Sequence, residues 1–357
     1  MESPAVRRLL ATSSRLGGPR VWDLLRGGRV KILMYHGIPG RERFEGIENH
    51  YRYNVPAAEF ERHMAYLKRR CNVVGLQDFR VGRGLSSSKT NVIITFDDGY
   101  ENNGTHAFPV LERYGLPAVF ALPTAFVDRQ EALYNDLVEY AVQHCRLPRV
   151  VVEWEGERHE HPLGNEADRL RLYNWSMRLC VTIAQERRAA LIETLAAAME
   201  VDVRPERLFA HEDYRPLSPE LIGRMAASPL VEFASHSVHH YLLARLESAG
   251  RRRELVESKA GVERLTGRPC RTFCMPGGAY DPEVLELAFA AGYECVLTSD
   301  VGPAVRGARV LRRYGIFSRQ DPGWFVDVVH GPVFEVLEKA REVRASVRSR
   351  LGRRATR

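Results

Sequence analysis

Residues 91–98, NVIITFDD, most constrain what this chain can become. A strand-forming and largely apolar run ends in two adjacent carboxylates, Asp97 and Asp98, followed at once by Gly99. A continuous apolar strand, without the polar alternation of a half-buried one, belongs in a sheet covered on both faces. Such a sheet needs helices on either side. At 357 residues the chain is long enough for one large α/β domain or two average domains.

The rest of the sequence supplies the alternation. VKILMYHGI (30–38) reads as a strand that stops at a His-Gly turn. PAAEFERHMAYLKRR (56–70) places Phe60, Met64 and Leu67 at helical spacing. NVVGL is a short strand signal, NGTHAFPVLERYG a helix closing on Gly115, and LPAVFALPT the next strand. Further on, SPELIGRMAAS reads as a helix with Ser218 as N-cap and Pro219 in its first turn. LVEFAS, RTFCMP, ECVLTS and RVLRRYGI read as strands; AGRRRELVESKAGVERLTG (249–267) and DPEVLELAFAAG read as helices. Strands alternating with helices imply βα units and a parallel sheet. Residues 125–215 break the rhythm with helical segments around a hairpin-like RVVVEWEGERHEHPL, and read as an insertion, in the manner of a helical cap.

Composition excludes some functions. A hydrophobic content of 45% and a charged content of 27% are those of a globular protein, and no apolar run is long enough to span a bilayer. The net charge of +7 sits at the ends: residues 1–31 carry +5 and residues 338–357 carry +6, leaving −4 for the body. An acidic body argues against a nucleic-acid-binding protein. The basic ends read as solvated segments, with an anionic membrane face as the alternative partner. The N-terminus lacks the apolar core of a secretory signal. Six scattered cysteines then read as reduced, buried thiols, and the expected location is cytoplasmic, with a peripheral place at the inner membrane face as an extension.

Two adjacent carboxylates repel each other, and burying both is costly unless something positive intervenes. Asp-Gly is ordinary turn chemistry; a metal ion is the other explanation. The strand LVEFAS runs into HSVHH, where His236 and His240 are four residues apart. In a helical turn that spacing puts both imidazoles on one face, with His239 as a competing partner. Two histidines and one carboxylate leave positions open for water and substrate. Strand C-terminal ends collect on one face in parallel α/β folds.

Three ordered motifs resemble those of the polysaccharide deacetylases, the NodB-homology or carbohydrate esterase family 4 proteins. TFDDGY (95–100) is similar to the first, SHSVHHYLLARL to the second, and RTFCMPGGAYD to the third. The resemblance covers roughly residues 30–320. It implies an irregular (β/α) barrel of the NodB type with fewer strands than the regular eight-stranded form, here carrying a helix-rich insertion. The corresponding division is a basic segment 1–29, a deacetylase-like domain 30–330 with the insertion at about 125–215, and a basic C-terminal helix or tail 331–357. The resemblance implies that Asp97 is the general base, that Asp98, His236 and His240 bind Zn²⁺ or another divalent ion, and that the Gly277 backbone N–H lies beside the reacting carbonyl. The implied activity is metal-dependent removal of acetyl groups from an N-acetylated sugar: a poly- or oligosaccharide or a glycan precursor, in a surface or exopolysaccharide pathway.

Two departures from the family pattern matter. Many members carry Arg two residues before the final Pro of the third motif, in contact with the base; here Cys274 stands there. Arg313 is the candidate substitute, and a surface arginine is the alternative reading. Many members also carry a catalytic-acid His in a Leu-x-His motif, of which there is no clean copy. His330 is one candidate; His36, at the end of the first strand, is the better one, as an acid or as a brace for a ligand. In the insertion, Trp154, Tyr173, Asn174 and Trp175 read as core, with stacking on sugars as the alternative, and Asn135 and Asp136 as cap or cleft residues. The rival readings are another amide hydrolase on the same scaffold, a deformylase or amidase, and a weakly active carbohydrate-binding homologue.

Overall fold

The computed structural model describes residues 28–50, 53–318 and 322–331. The readings made for most of the N-terminal segment and for the C-terminal tail lie outside these residues.

Eleven strands form among them: β1 (Val30–Tyr35), β2 (Asn72–Val73), β3 (Asn91–Phe96), β4 (Ala118–Leu122), β5 (Arg149–Trp154), β6 (Glu157–Pro162), β7 (Val231–Ser235), β8 (Thr272–Cys274), β9 (Cys295–Leu297), β10 (Val310–Leu311) and β11 (Tyr314–Gly315). The main sheet runs β10-β9-β8-β7-β4-β3-β1-β11, with β2 beside β3, and its pairings are parallel. All six residues of β3 are buried, as its unbroken apolar pattern requires. The sheet has nine strands and not fewer than eight as the resemblance implied; what departs from a regular barrel is strand length, since β2, β10 and β11 have two residues each, against three to six for the others in the sheet.

One short segment dictates the curvature. β10 and β11 lie at opposite edges of the sheet, yet only Arg312 and Arg313 separate them. Three peptide steps reach at most about 11 Å. An open sheet of eight strands is far wider, at about 4.8 Å per strand. The sheet must therefore curl until its edges almost meet, and the result is a barrel. The run RVLRRYGI is thus two strand fragments and a seam, rather than the single strand its pattern suggests.

Helices pack outside the barrel where the periodicity places them. α1 (Ala57–Arg70) buries Phe60, Met64 and Leu67. α2 (Leu76–Val81) ends on left-handed Gly82. A π-helical turn (Asn103–Ala107) leads into α3 (Phe108–Tyr114), which closes on Gly115. The insertion begins with α4 (Thr124–Arg129) and α5 (Tyr134–His144), continues through the antiparallel β5–β6 hairpin, and includes α6 (Glu166–Thr182), α7 (Arg188–Ala198) and α8 (Pro205–Leu208). Side chains from this region, among them Val142, Val152, Leu172 and Leu191, build a second apolar core beside the barrel core. The βα rhythm resumes with α9 (Pro219–Ala227), whose Ser218 accepts from the Leu221 N–H. α10 (Ser248–Thr266) ends on Gly267, and α11 (Pro282–Ala290) and α12 (Pro322–His330) complete the set.

The N-terminal end of the barrel is sealed by a buried cation. Lys31 Nζ donates to the Val328 carbonyl at 2.6 Å and the Gly331 carbonyl at 3.3 Å, satisfying the exposed end of α12. Next to this helix, His63 of α1 stacks on Phe325 at 3.7 Å and meets the Tyr35 hydroxyl through Nδ1 at 3.3 Å. Burial, and then the nearby Arg62 charge, pull the His63 pKa down to about 3. Glu59 lies 3.9 Å from Nε2 but turns its other oxygen to the Ser318 hydroxyl at 2.6 Å, so it does not rescue the imidazolium. A histidine held neutral in the fold takes up a proton on unfolding once the pH drops below about 6.5. Its contribution to stability is complete above that value and is lost progressively toward pH 3. Denaturant unfolding at pH 7, 6 and 5 should therefore show a His63→Gln protein with a shallower pH dependence than wild type. The expected difference approaches roughly 1.4 kcal/mol per pH unit below pH 6; equal slopes would refute the assignment.

Candidate metal and deacetylation centre

The C-terminal ends of the parallel strands deliver the polar residues. β1 ends at His36, β3 at Asp97 and Asp98, β7 at His236, β8 at the Met275–Gly277 turn, and the β10–β11 seam at Arg313. All line one cleft of about 740 Å³.

Asp97 and Asp98 diverge because the backbone turns between them. Asp98 has φ +72° and Gly99 φ +66°, two consecutive left-handed residues. A Cβ on Gly99 would lie 3.1 Å from both Leu122 Cδ2 and Val127 Cγ1, so the turn is packed tightly against β4 and α4. The turn reading of FDDG therefore holds, and the turn aims the two carboxylates at different partners.

Asp97 meets Arg313. Nη1 donates to Oδ1 at 2.7 Å and Nη2 to Oδ2 at 2.8 Å, a two-pronged buried pair. Arg313 is held in turn by the Thr298 carbonyl at 3.0 Å and Thr95 Oγ1 at 3.3 Å. Burial alone would raise the Asp97 pKa, but Arg313 and then His236 hold it below the usual carboxylate value. Cys274, where the family often carries an arginine, is a buried thiol whose pKa burial pushes far up, so it stays protonated.

Asp98 meets the two histidines. Its Oδ1 lies 3.4 Å from His236 Nε2 and 3.4 Å from His240 Nε2. The two imidazoles do not sit on a helical turn: residues 236–240 form a loop with Ser237 at φ +64° and His240 at φ +57°. The loop is gripped by Glu254 of α10, which accepts from the Val238 and His239 N–H groups at 2.8 and 3.0 Å and from His239 Nδ1 at 2.6 Å. His239, the expected competitor, is thereby turned away. His236 is oriented by its own bond, Nδ1 to the Cys274 carbonyl at 2.8 Å. That carbonyl is an acceptor, so Nδ1 carries the proton and Nε2 is free to ligate.

The donor set fits a divalent cation. Asp98, His236 and His240 each present one ligand atom, all within 4.8 Å of one another, and all three residues are buried. Asp98 Oδ1, the oxygen that faces both imidazoles, has no hydrogen-bond partner. Burial pulls the His240 pKa down to about 4 and so keeps that ring neutral, as a ligand must be. Burial opposes the Asp98 anion, yet the neighbouring His236 and His240 hold its pKa far below the ordinary value. Lone pairs converging in a dry site without protons between them are mutually repulsive unless a cation is shared.

The remaining sequence candidates fall on both sides of the expectation. His36 lines the cleft with its Nδ1 buried and unpartnered, and its backbone carbonyl accepts from Asn103 Nδ2 at 2.8 Å. His330 is elsewhere: it contacts Thr90 Oγ1 at 3.3 Å, at the start of β3 and so at the opposite end of the barrel. Gly277 has φ +57° in the cleft wall, where a Cβ would meet the end of the Leu242 side chain. The left-handed backbone favours glycine here. Tyr173 and Asn135 from the insertion line the cleft, whereas Asp136 is taken by the Tyr100 hydroxyl at 3.1 Å. Trp154 and Trp175 pack on the second core. Sequence reasoning missed Glu254, Tyr134 and the wall residues His50, Tyr53 and Phe317. An acid one turn into α10 carries no local signal of its distant partner.

The family model for polysaccharide deacetylase matches residues 85–146 and 191–296. These residues carry a polysaccharide deacetylase domain. The unmatched stretch between those blocks holds the β5–β6 hairpin and α6, outside the main sheet. YxkH of Bacillus subtilis (strain 168), a protein named as a polysaccharide deacetylase, is 29% identical over 125 residues. That alignment covers 32% of this chain and 39% of the relative, so the likeness spans about two fifths of the relative's length. Among solved structures, Streptococcus pyogenes deacetylase PplD in complex with acetate superposes with a TM-score of 0.55 at 16% identity, covering 84% of this chain and 98% of that one. IcaB from Ammonifex degensii gives a TM-score of 0.53 at 19% identity, covering 85% and 98%. At these identities the two structures establish the barrel fold.

Arg313→Met leaves Asp97 buried and unpaired. Removing one partner of a buried pair typically costs about 3–5 kcal/mol, whereas replacing both with apolar groups is often near neutral. Urea unfolding should place the Arg313→Met protein lower by that order, with most of the loss recovered in Arg313→Met/Asp97→Leu. A single variant as stable as wild type would contradict the account of the seam.

Proposed function

We propose that this chain is a metal-dependent hydrolase that removes the acetyl group from an N-acetylated sugar, as poly- or oligosaccharide or as a glycan precursor. One observation carries the reading: Asp98, His236 and His240 converge as a buried ligand set, while Asp97, the adjacent residue, is withheld from it by Arg313. The comparisons support deacetylation as the chemistry of the family. A divalent ion held by Asp98, His236 and His240, zinc or another, supplies polarisation of the acyl oxygen and a more acidic water.

The chain's own groups do the rest. Asp97 accepts a proton from the attacking water; each carboxylate oxygen keeps a second lone pair beyond the one Arg313 uses. Arg313 keeps that carboxylate ionised and fixed in direction. The Gly277 backbone N–H donates to the acyl oxygen as it gains charge. His36, which lines the cleft, protonates the departing amine. The residue division that accompanies this reading is a domain over 30–330 with an insertion at about 125–215, flanked by the basic ends.

Acetate release from a panel of N-acetylated sugars, with and without chelator, tests the reaction class; formate or ammonia as product would indicate another amide hydrolase instead. Asp97→Asn should lose at least about 10²-fold in kcat while retaining bound metal. His236→Ala should lose the metal itself, read by elemental analysis. A wild-type protein that is active and insensitive to chelation would end the metal-dependent reading.

The basic ends motivate a location in the cytoplasm at the inner membrane face, with an anionic or membrane-borne substrate. No helix among the described residues is long and apolar enough to cross a membrane. Binding to vesicles containing anionic lipid should be salt-sensitive and should fall on deletion of 338–357; absence of binding at low salt would remove the idea.

A further inference from the structure

The insertion contains a buried charge that the proposed chemistry does not use. Arg188, at the start of α7, is 3% exposed. Its Nε donates to the Cys180 carbonyl at 2.8 Å, and both terminal nitrogens lack a hydrogen-bond partner. What surrounds the guanidinium is aromatic: its carbon lies 4.3 Å from the Tyr134 ring centroid and 5.2 Å from that of Tyr241. A desolvated cation over two ring faces is attracted by the negative face of each ring. Tyr134 opens α5, and Tyr241 directly follows His240. The arginine therefore ties the insertion to the ligand loop through two aromatic rings.

The tie sets the position of one side chain in the cleft. Tyr134 lines the cleft, its ring centroid 6.3 Å from that of His240. Its hydroxyl makes no hydrogen bond among the described residues. Burial raises the phenol pKa, and the Asp98 charge adds to this against the pull of Arg188. The hydroxyl is thus a proton donor throughout the working pH range. A tyrosine anchored on its ring face in the wall of the cleft, with a hydroxyl not engaged by the protein, has the form of a specificity contact.

We propose that Tyr134 is the insertion's contact with substrate, its hydroxyl donating a hydrogen bond to the sugar ring that carries the scissile acetamide, and that Arg188 is the positioning residue holding it there. The inference rests on the deacetylase reading and adds a role for the insertion: it selects the sugar, whereas the barrel performs the hydrolysis.

The test compares two substrates, an N-acetylglucosamine oligomer and 4-nitrophenyl acetate, which has an acetyl group and no sugar. Tyr134→Phe should lower the ratio of sugar to aryl-ester kcat/KM by about five- to tenfold, the worth of one neutral hydrogen bond. Arg188→Met should lower the same ratio, Arg188→Lys should restore part of it, and the double variant Tyr134→Phe/Arg188→Met should fall no further than Tyr134→Phe. Calorimetric binding of the oligomer to chelator-treated protein should weaken in step. A proportional loss on both substrates, or an unchanged ratio, would make the pair purely structural and overturn the inference. A wild-type protein that hydrolyses the aryl ester but no acetylated sugar would instead overturn the deacetylase reading, and this one with it.

Discussion

The ion pair between Arg313 and Asp97 is the constraint on which the rest of the structure turns. It links the seam of the barrel to the end of its most buried strand. Because β10 and β11 occupy opposite sheet edges two residues apart and both run parallel to their neighbours, the segment between them bridges the seam of the barrel wall. A long side chain projecting inward from that crossing has one place to go. The pair thereby joins topology to chemistry: the closure that makes the barrel also supplies the charge that keeps one carboxylate ionised and apart from the other.

Asp97 and Asp98 show how one backbone turn separates two roles. Both are buried, and both would be pushed toward neutrality by burial alone. The left-handed pair at Asp98 and Gly99 rotates the second carboxylate away from the first, toward imidazoles from β7. Each acid then has its own compensation, a guanidinium for one and the histidine set for the other. The cost of the strained turn is met by packing around Gly99, where no side chain would fit.

Much of this was legible in the sequence, for identifiable reasons. A parallel α/β sheet followed from continuous apolar strands alternating with amphipathic helices, the barrel from the family resemblance, and helix ends at Gly115, Gly267 and Ser218 from capping chemistry. The FDDG and HSVHH residues stood out because strand ends in parallel folds share one face. Arg313 was a candidate because the resemblance implies an arginine beside the base and Cys274 stands at its customary place. The details that failed were long-range ones. RVLRRYGI has the pattern of one strand, and only sheet closure breaks it in two. HSVHH has helical spacing, but Glu254 draws the Val238 and His239 amides into a loop that still brings both rings to one point. His330 has the composition of a site residue and lies at the wrong end of the barrel. Tyr134 and Arg188 sit on an insertion whose placement over the cleft no local pattern encodes.

Lys31 gives the molecule a polarity. By holding the carbonyls of Val328 and Gly331 at the base of β1, it ties α12 to the end of the barrel opposite the cleft. The two poles are thus built differently: a lysine among backbone carbonyls closes one, and the other stays open, so substitutions at the closed pole act on the cohesion of the barrel and leave the chemistry of the cleft alone.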